Sequence, residues 1–381
     1  MMSAAAPDVL IAGAGPVGLA AALELRRLGF AVRIVERRAR REPYSKALGV
    51  NSRTLELLEP LGLTQALLER GHVARRATLR WHEQLLGRVE FGGAGHPFSL
   101  MLVLPQYETE VLLENRLQNF GCTVEYATEL VQAAEGAGGV HCTLRGPQGQ
   151  EAASCSWLLG ADGARSQVRE QLGLRLRGGP AQPWSLADIV ADLPLPGGEP
   201  QIMLRADGVC FALGYRPRQW RVAADAPGVL DRLPPGSTVH RVLWYSDFQV
   251  AQRRVVTPGH GRIWLAGDAA HLHSPLGARG MNLGIEDAIE FARLLRLGRV
   301  TDYGRRRVAA ARRTLRQVGM MTTMARARAK PLRQCQRRLL PPLLGLGPVQ
   351  RMLRRRMLGL NAAPVPDPLR GHADRSRSDA R

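Results

Sequence analysis

The turn Gly13-Ala-Gly15-Pro16-Val-Gly18 and the carboxylate of Glu36 stand where they can act on one ligand. The glycines permit a tight turn, let backbone approach a pyrophosphate, and let a helix pack closely on a strand. The N-terminus of the helix they open offers the positive end of its dipole to a phosphate. Glu36 stands 18 residues beyond Gly18, where a carboxylate can accept hydrogen bonds from ribose hydroxyls. The flanking pattern agrees. Val9–Ala12 is a short apolar strand, residues 16–28 carry apolar side chains at helical spacing and stop at Gly29, and residues 31–35 are rich in β-branched residues. This βαβ unit predicts dinucleotide binding without choosing the dinucleotide.

The elements that must position such a site can be read further along. Residues 55–68 and 108–120 are predicted helices, and 123–126, 139–144 and 157–159 are predicted strands. After about residue 177 the pattern changes to Pro/Gly punctuation and short alternating runs at 201–205, 209–215 and 219–224, the signature of an antiparallel meander, followed by a longer strand at 240–250. A buried-strand-then-glycine pattern returns at 263–267, and from Gly284 the chain reads as mostly helical. The expected fold class is therefore α/β: a Rossmann-like body at 8–177 and 256–300, interrupted by a β-rich unit at 178–255 with part of 73–104. A basic helical region at 301–360 and a disordered tail at 361–381 are expected to follow.

Composition narrows the classes. With 381 residues and 45% hydrophobic content the chain can bury a real core. The first residues lack a basic, apolar leader, and no apolar run approaches the roughly 20 residues of a membrane span. A cytoplasmic enzyme is the expectation. Five scattered cysteines without a CxxC pair support neither a disulfide framework nor a zinc site, so no metal is expected. Net charge is +20, and residues 293–356 alone hold 18 Arg and one Lys against Asp302. Those arginines are either solvated or paired to acids elsewhere, or they make a peripheral contact with acidic membrane. A nucleic-acid partner is not expected, because the block lacks clustered aromatics.

Four further segments bear on the ligand. Trp157-Leu-Leu-Gly-Ala-Asp162-Gly163-Ala-Arg-Ser166 is followed by Gly267-Asp268-Ala-Ala-His-Leu-His-Ser-Pro275-Leu-Gly277-Ala278-Arg279-Gly280-Met281-Asn282. Ser45-Lys46-Ala-Leu-Gly and Leu104-Pro-Gln106-Tyr-Glu108 complete the set. In this order and spacing they resemble the class A FAD-dependent aromatic hydroxylases (the para-hydroxybenzoate hydroxylase-like flavoprotein monooxygenases) in their phenol and polyketide branch, from about residue 8 to 360. The resemblance implies FAD as cofactor, NAD(P)H as reductant and O2 with an aromatic small molecule as substrates, the latter hydroxylated through a flavin C4a-hydroperoxide. It implies that Gly13, Gly15, Pro16, Gly18, Glu36 and Arg37 hold the ADP half of FAD, that Lys46 and Gln106 flank the flavin and ribityl chain, and that Gly267 and Asp268 bind the ribityl. It also implies that Pro275, Gly277, Ala278, Arg279, Gly280, Met281 and Asn282 line the isoalloxazine, with Asp162 serving both FAD and the transient NAD(P)H.

The chain departs from the pattern at Ala278-Arg279, where the family commonly has Gly-Gln, and at Lys46, where arginine is more usual. Ala278 weakens any expectation of positive φ there, and Arg279 either neutralises charge at the flavin edge or points to solvent. His271 and His273 flank the flavin motif, with packing or hydrogen bonding the simpler role for His271. Trp244, Ser246 and Phe248 share a strand face; with Phe211 and Tyr215 they either line an aromatic substrate pocket or form an ordinary sheet core. No residue type at any spacing names a catalytic acid or base, so the catalytic residues and the oligomeric state stay unassigned. Related flavoprotein chemistry remains open as an alternative: epoxidation, Baeyer–Villiger insertion, quinone hydroxylation or prenyl reduction, or a non-catalytic flavin-binding role.

Overall fold

Strand β1 (Val9–Ala12) is entirely buried, and its apolar residues explain why it sits centrally in a sheet. The computed structural model describes residues 6–275, 277–325 and 330–369. β1 pairs in parallel with β2 (Val32–Glu36) on one side and with Trp157–Gly160 on the other. The sheet extends in parallel to Val124–Tyr126 at one edge and to Ile263–Leu265 towards the other, which ends in Gly259–His260. Helix α1 (Pro16–Arg27) starts with proline at its first turn, where the missing N–H costs nothing, and ends with Arg26 and Arg27 complementing its dipole. With Gln106–Asn119 and Gly280–Arg296 it covers one face of the sheet in a core of Leu19, Leu23, Leu113, Ile285 and Phe291. Each fully buried Leu or Phe contributes about 1.5–3 kcal/mol. The other face is covered by a three-stranded antiparallel sheet, Glu129–Gly136, Gly139–Gly146 and Gly149–Cys155.

A seven-stranded sheet forms the second layer. Its order is Thr238–Val250, Gln182–Asp192, Gln219–Ala224, Gly208–Arg216, Gln201–Arg205, Arg76–Trp81 and Gln84–Glu90. The meander expected from the turns is present, and the hairpin 76–90 joins it through a parallel pairing of Gln201–Leu204 with Thr78–Trp81. Helices Lys330–Gly345 and Gly347–Met357 pack on this hairpin, with Leu344 and Met357 in the shared core.

Two expectations need correction. The single helix over 55–68 is two helices, Ser52–Leu58 and Thr64–Arg70, because Pro60 and the left-handed Gly62 (φ +71) break it. The disordered tail does not begin at 361: Val365 is buried, and Asp367 pairs with Arg27 and Arg293, which tie it to the body. Residues 1–5 and 370–381, and with them the rest of the tail, lie outside the described residues.

Candidate active site

A cavity of about 830 Å³ opens between the two sheets, within the size range of small-molecule and cofactor sites. Gly13, Gly15 and Pro16 wall one end of it, with Glu36 and Arg37 beside them; Pro275, Gly277, Ala278, Gly280 and Met281 wall the other. Gly13 has φ +103, and a Cβ there would meet the Ala161 carbonyl oxygen at 2.4 Å, so only glycine closes this turn. At Gly15 an added Cβ would meet nothing within 4 Å. The bare backbone at the start of α1 therefore faces open space, as a phosphate cradle requires.

Glu36 is held ready rather than free. Its Oε2 accepts the Ala14 N–H at 3.0 Å, and its Oε1 accepts the Arg38 N–H at 3.1 Å and Nε–H at 2.8 Å. Burial alone would push this carboxyl up, but the bonds from Arg38 and Ala14 outweigh it and keep the group ionised below the ordinary carboxylate range. Asp162 stands at the end of the strand Trp157–Gly160, accepts the Val168 N–H at 3.2 Å, and has its carboxyl pushed up by burial. Asp268 reaches the cavity floor from the turn after Ile263–Leu265; it is open to the cavity but enclosed by the body, which also pushes its carboxyl up, opposed by the charges of His271 and Lys46. Lys46 sits across from it with its ammonium 4.2 Å from the Phe248 ring centroid, a cation–π contact. Its pKa is lowered by desolvation and by the Arg165 charge, against the attraction of Asp268. Gln106 lines the same wall, its Nε2 donating to Glu110 Oε1 at 2.8 Å.

Several expected site residues do not reach the cavity. Gly18 and Gly267 are packing glycines: a Cβ at Gly18 would meet the Gly13 carbonyl oxygen at 1.9 Å, and one at Gly267 would strike Val17 at 2.9 Å. Asn282 is fully buried and acts as a pin. Its Nδ2 donates to the Gly49 and Ala278 carbonyls, while its Oδ1 accepts from Asn51 N–H and Thr54 Oγ1. Arg279 lines the cavity, and its guanidinium does not point to solvent. It is buried, with Nη2 3.3 Å from Glu286 Oε1 and Nη1 close against Gly359. Ala278 is left-handed (φ +51) despite its Cβ, so the turn takes a backbone that glycine favours, at the cost of strain. Of the aromatic candidates, Phe211 and Phe248 line the cavity. Tyr215 and Trp244 do not: Tyr215 packs into the core under the 76–90 hairpin, and Trp244 stacks on Tyr44 at 5.7 Å.

Sequence reasoning missed Arg221. It forms a buried two-bond ion pair with Asp188, its cross-strand neighbour, at 2.7 Å for both bonds. Its Nη1 donates to the Ala47 carbonyl at 3.0 Å, fastening the loop that carries Lys46 to the second sheet. His271 donates its Nε2–H to the Asp287 carboxylate at 2.6 Å, deep under the cavity floor. His273 lines the cavity with Nδ1 2.9 Å from the Ser274 carbonyl, which fixes the proton on Nδ1; burial drives its pKa down to about 4. No cluster of three or more metal-ligating side chains occurs among the described residues.

Comparison with known proteins converges on the same ligand. Residues 6–208 and 209–317 match the family described as FAD binding domain. 6-Methylpretetramide 4-monooxygenase of Streptomyces rimosus is 38% identical over 308 residues, covering 75% of this chain and 55% of that protein. The structure of OxyS anhydrotetracycline hydroxylase, also from Streptomyces rimosus, is similar with a TM-score of 0.80 at 29% identity, covering 94% of this chain and 77% of that one. Dialkyldecalin synthase of Streptomyces rugosporus is 30% identical over 395 residues, covering 94% of this chain and 81% of that protein. The chain thus spans little more than half the length of the first of these relatives. Motif order, a cleft opening on the glycine turn and similarity over most of its length agree: the chain belongs to the FAD binding domain family.

Proposed function

We propose that the chain is an NAD(P)H-dependent FAD monooxygenase that inserts one oxygen atom of O2 into an aromatic small molecule of phenolic or polyketide type. The observation that carries this reading is one continuous cavity, running from a bare phosphate-binding turn to an apolar sheet wall with Phe211 and Phe248. The residues present fit FAD: Gly13 closes the turn, Gly15 leaves backbone uncovered, Glu36 is an ionised acceptor, and Asp268 offers a carboxyl at the floor. In this reading Gly13, Gly15, Pro16, Glu36 and Arg37 hold the ADP half. Lys46, Gln106, Asp162 and Asp268 flank the ribityl and flavin, and the backbone of 275–281 faces the ring.

Reduced FAD supplies the capacity to activate dioxygen; the protein supplies binding, orientation and exclusion of water. Phe211, Phe248, Ile202 and Leu213 form a wall that favours a flat apolar substrate. His273 is neutral at working pH, and Lys46, opposite Asp268, would offer a positive charge to a bound reduced flavin. We assign the flavin-binding part to 8–177 and 256–300, the substrate part to 178–255 with part of 73–104, and a helical region to 301–360. The test is anaerobic reduction of FAD-loaded protein by NAD(P)H with and without a panel of phenols and aromatic polyketides. Substrate-stimulated reduction supports the proposal, and a flavin that NAD(P)H never reduces with any of them refutes it. A second reading, in which bound FAD is a scaffold for a non-redox cyclisation, is favoured by the reach of the similarity to dialkyldecalin synthase over 94% of the chain. Turnover of a polyene with no NAD(P)H consumption would select it.

A further inference from the structure

The arginines of the C-terminal third divide into two populations. Arg293, Arg299, Arg305, Arg306 and Arg307 all meet acids, namely Glu24, Asp302, Glu290 and Asp287. From 308 to 356 the sequence holds 12 Arg and one Lys and no acid at all. Arg313, Arg316, Arg338 and Arg351 are exposed there and meet no acid among the described residues. Charge this dense and this unpaired is costly in self-repulsion unless a negative surface answers it.

An apolar face lies within the same segment. Helix Lys330–Gly345 turns Leu340 and Leu344 inward, Leu344 reaching the hairpin because Gly87 has no Cβ to stop it. Leu339 and Leu343, four apart on another flank of the helix, and Leu346 just past its end are exposed, Leu339 and Leu346 at 51% each. Gln336, on that flank, donates its Nε2 to the Met324 carbonyl at 2.7 Å. This bond brings the end of helix Thr301–Ala325 alongside, with Met320 and Met324 exposed one turn apart.

We infer that this leucine–methionine face, rimmed by unpaired arginines, rests on an anionic lipid surface. An interfacial helix pairs a leucine-rich side with a basic rim in this manner. No helix of the described residues is long and apolar enough to cross a membrane, so the contact is with the surface. Nucleic acid fits poorly, because residues 304–381 contain no Phe, Trp or Tyr on which bases could stack. A second copy fits poorly because two such faces would bring like charges together.

Co-sedimentation of the FAD-loaded full chain with vesicles tests the inference. Vesicles of phosphatidylcholine with phosphatidylglycerol should take up protein at least about tenfold better than phosphatidylcholine alone at low ionic strength, and lose it in high salt. The double variant R338E/R351E should bind about tenfold less or weaker still. L339Q/L343Q should also bind less, with charge unchanged. Cys335 is the exposed one of the five cysteines and lies one turn before Leu339. A solvent-sensitive dye on it should shift to the blue with the anionic vesicles and not with the neutral ones. Equal uptake by both vesicle types, no uptake at low salt, or uptake without the dye shift would overturn the inference. So would a concentration-dependent dimer abolished by L339Q/L343Q. All variants alter exposed residues, and unchanged flavin absorbance and unfolding midpoint serve as folding controls.

Discussion

Replacing Asp287 with Asn isolates the buried network that holds the cavity floor. Asp287 is fully enclosed in helix Gly280–Arg296; its Oδ2 accepts the Gly267 N–H at 2.9 Å and lies 2.6 Å from His271 Nε2, and its Oδ1 takes the Arg307 guanidinium. Gly267 and His271 bracket the turn that presents Asp268, so this carboxylate sets where Asp268 stands. Removing one partner of a buried ion pair costs about 3–5 kcal/mol, because the other charge is left uncompensated. The low end applies, since Arg307 keeps Glu290 Oε2 at 2.8 Å. We therefore expect D287N to lose about 3 kcal/mol in urea unfolding and to bind FAD more weakly than the wild type.

The pH dependence has a definite sign. Burial pushes the Asp287 carboxyl up, but Arg307 and His271 outweigh it and hold it below its ordinary value. Its contribution to stability is then present above the unfolded pKa, about 3.9, and is lost as pH falls through the lower folded value. The gap between wild type and D287N should accordingly narrow under strongly acidic conditions. A variant within about 0.5 kcal/mol of wild type at neutral pH, a spread typical of a surface change, would refute the reasoning.

Three other outcomes follow from the same geometry. E36Q should raise the FAD dissociation constant about tenfold or more, measured by flavin fluorescence titration, since it weakens charge-assisted acceptance at the ADP end. A278G should stabilise the protein by up to about 1 kcal/mol, because relief of a left-handed alanine worth about 1–2 kcal/mol exceeds the entropy cost of glycine; thermal unfolding measures it, and a destabilised A278G would show the turn is unstrained. His273 should show no titration near the ordinary histidine value of about 6.5, staying neutral until about pH 4, and NMR of the imidazole resonances reads this directly.

Much of the cofactor cleft was legible because its chemistry is local. A turn that needs Gly13 at positive φ, a helix opened by Pro16 and an acid at the next strand end are all written within thirty residues. The meander at 201–224 was legible for the same reason, its turns being explicit. What depends on register or on long-range packing was not. Asp188 and Arg221 are 33 positions apart and become a pair only once two strands align. Trp244 and Phe248 share a strand, yet Tyr44 captures one while the cavity takes the other. Nothing near Arg279 in the chain shows that its guanidinium is buried beside Glu286 and against Gly359, which lies 80 positions beyond it. The unit charge of the arginine block was visible, but its division into paired and unpaired halves required the positions of Glu24, Asp287 and Glu290.

The most direct measurement is turnover of the FAD-loaded protein with NAD(P)H, an aromatic substrate that stimulates flavin reduction, and isotopically labelled O2, followed by product mass. One labelled oxygen atom in the product, with the aromatic skeleton intact, is the expected result. A product carrying oxygen from water, or a rearranged product formed without NAD(P)H consumption, would contradict it.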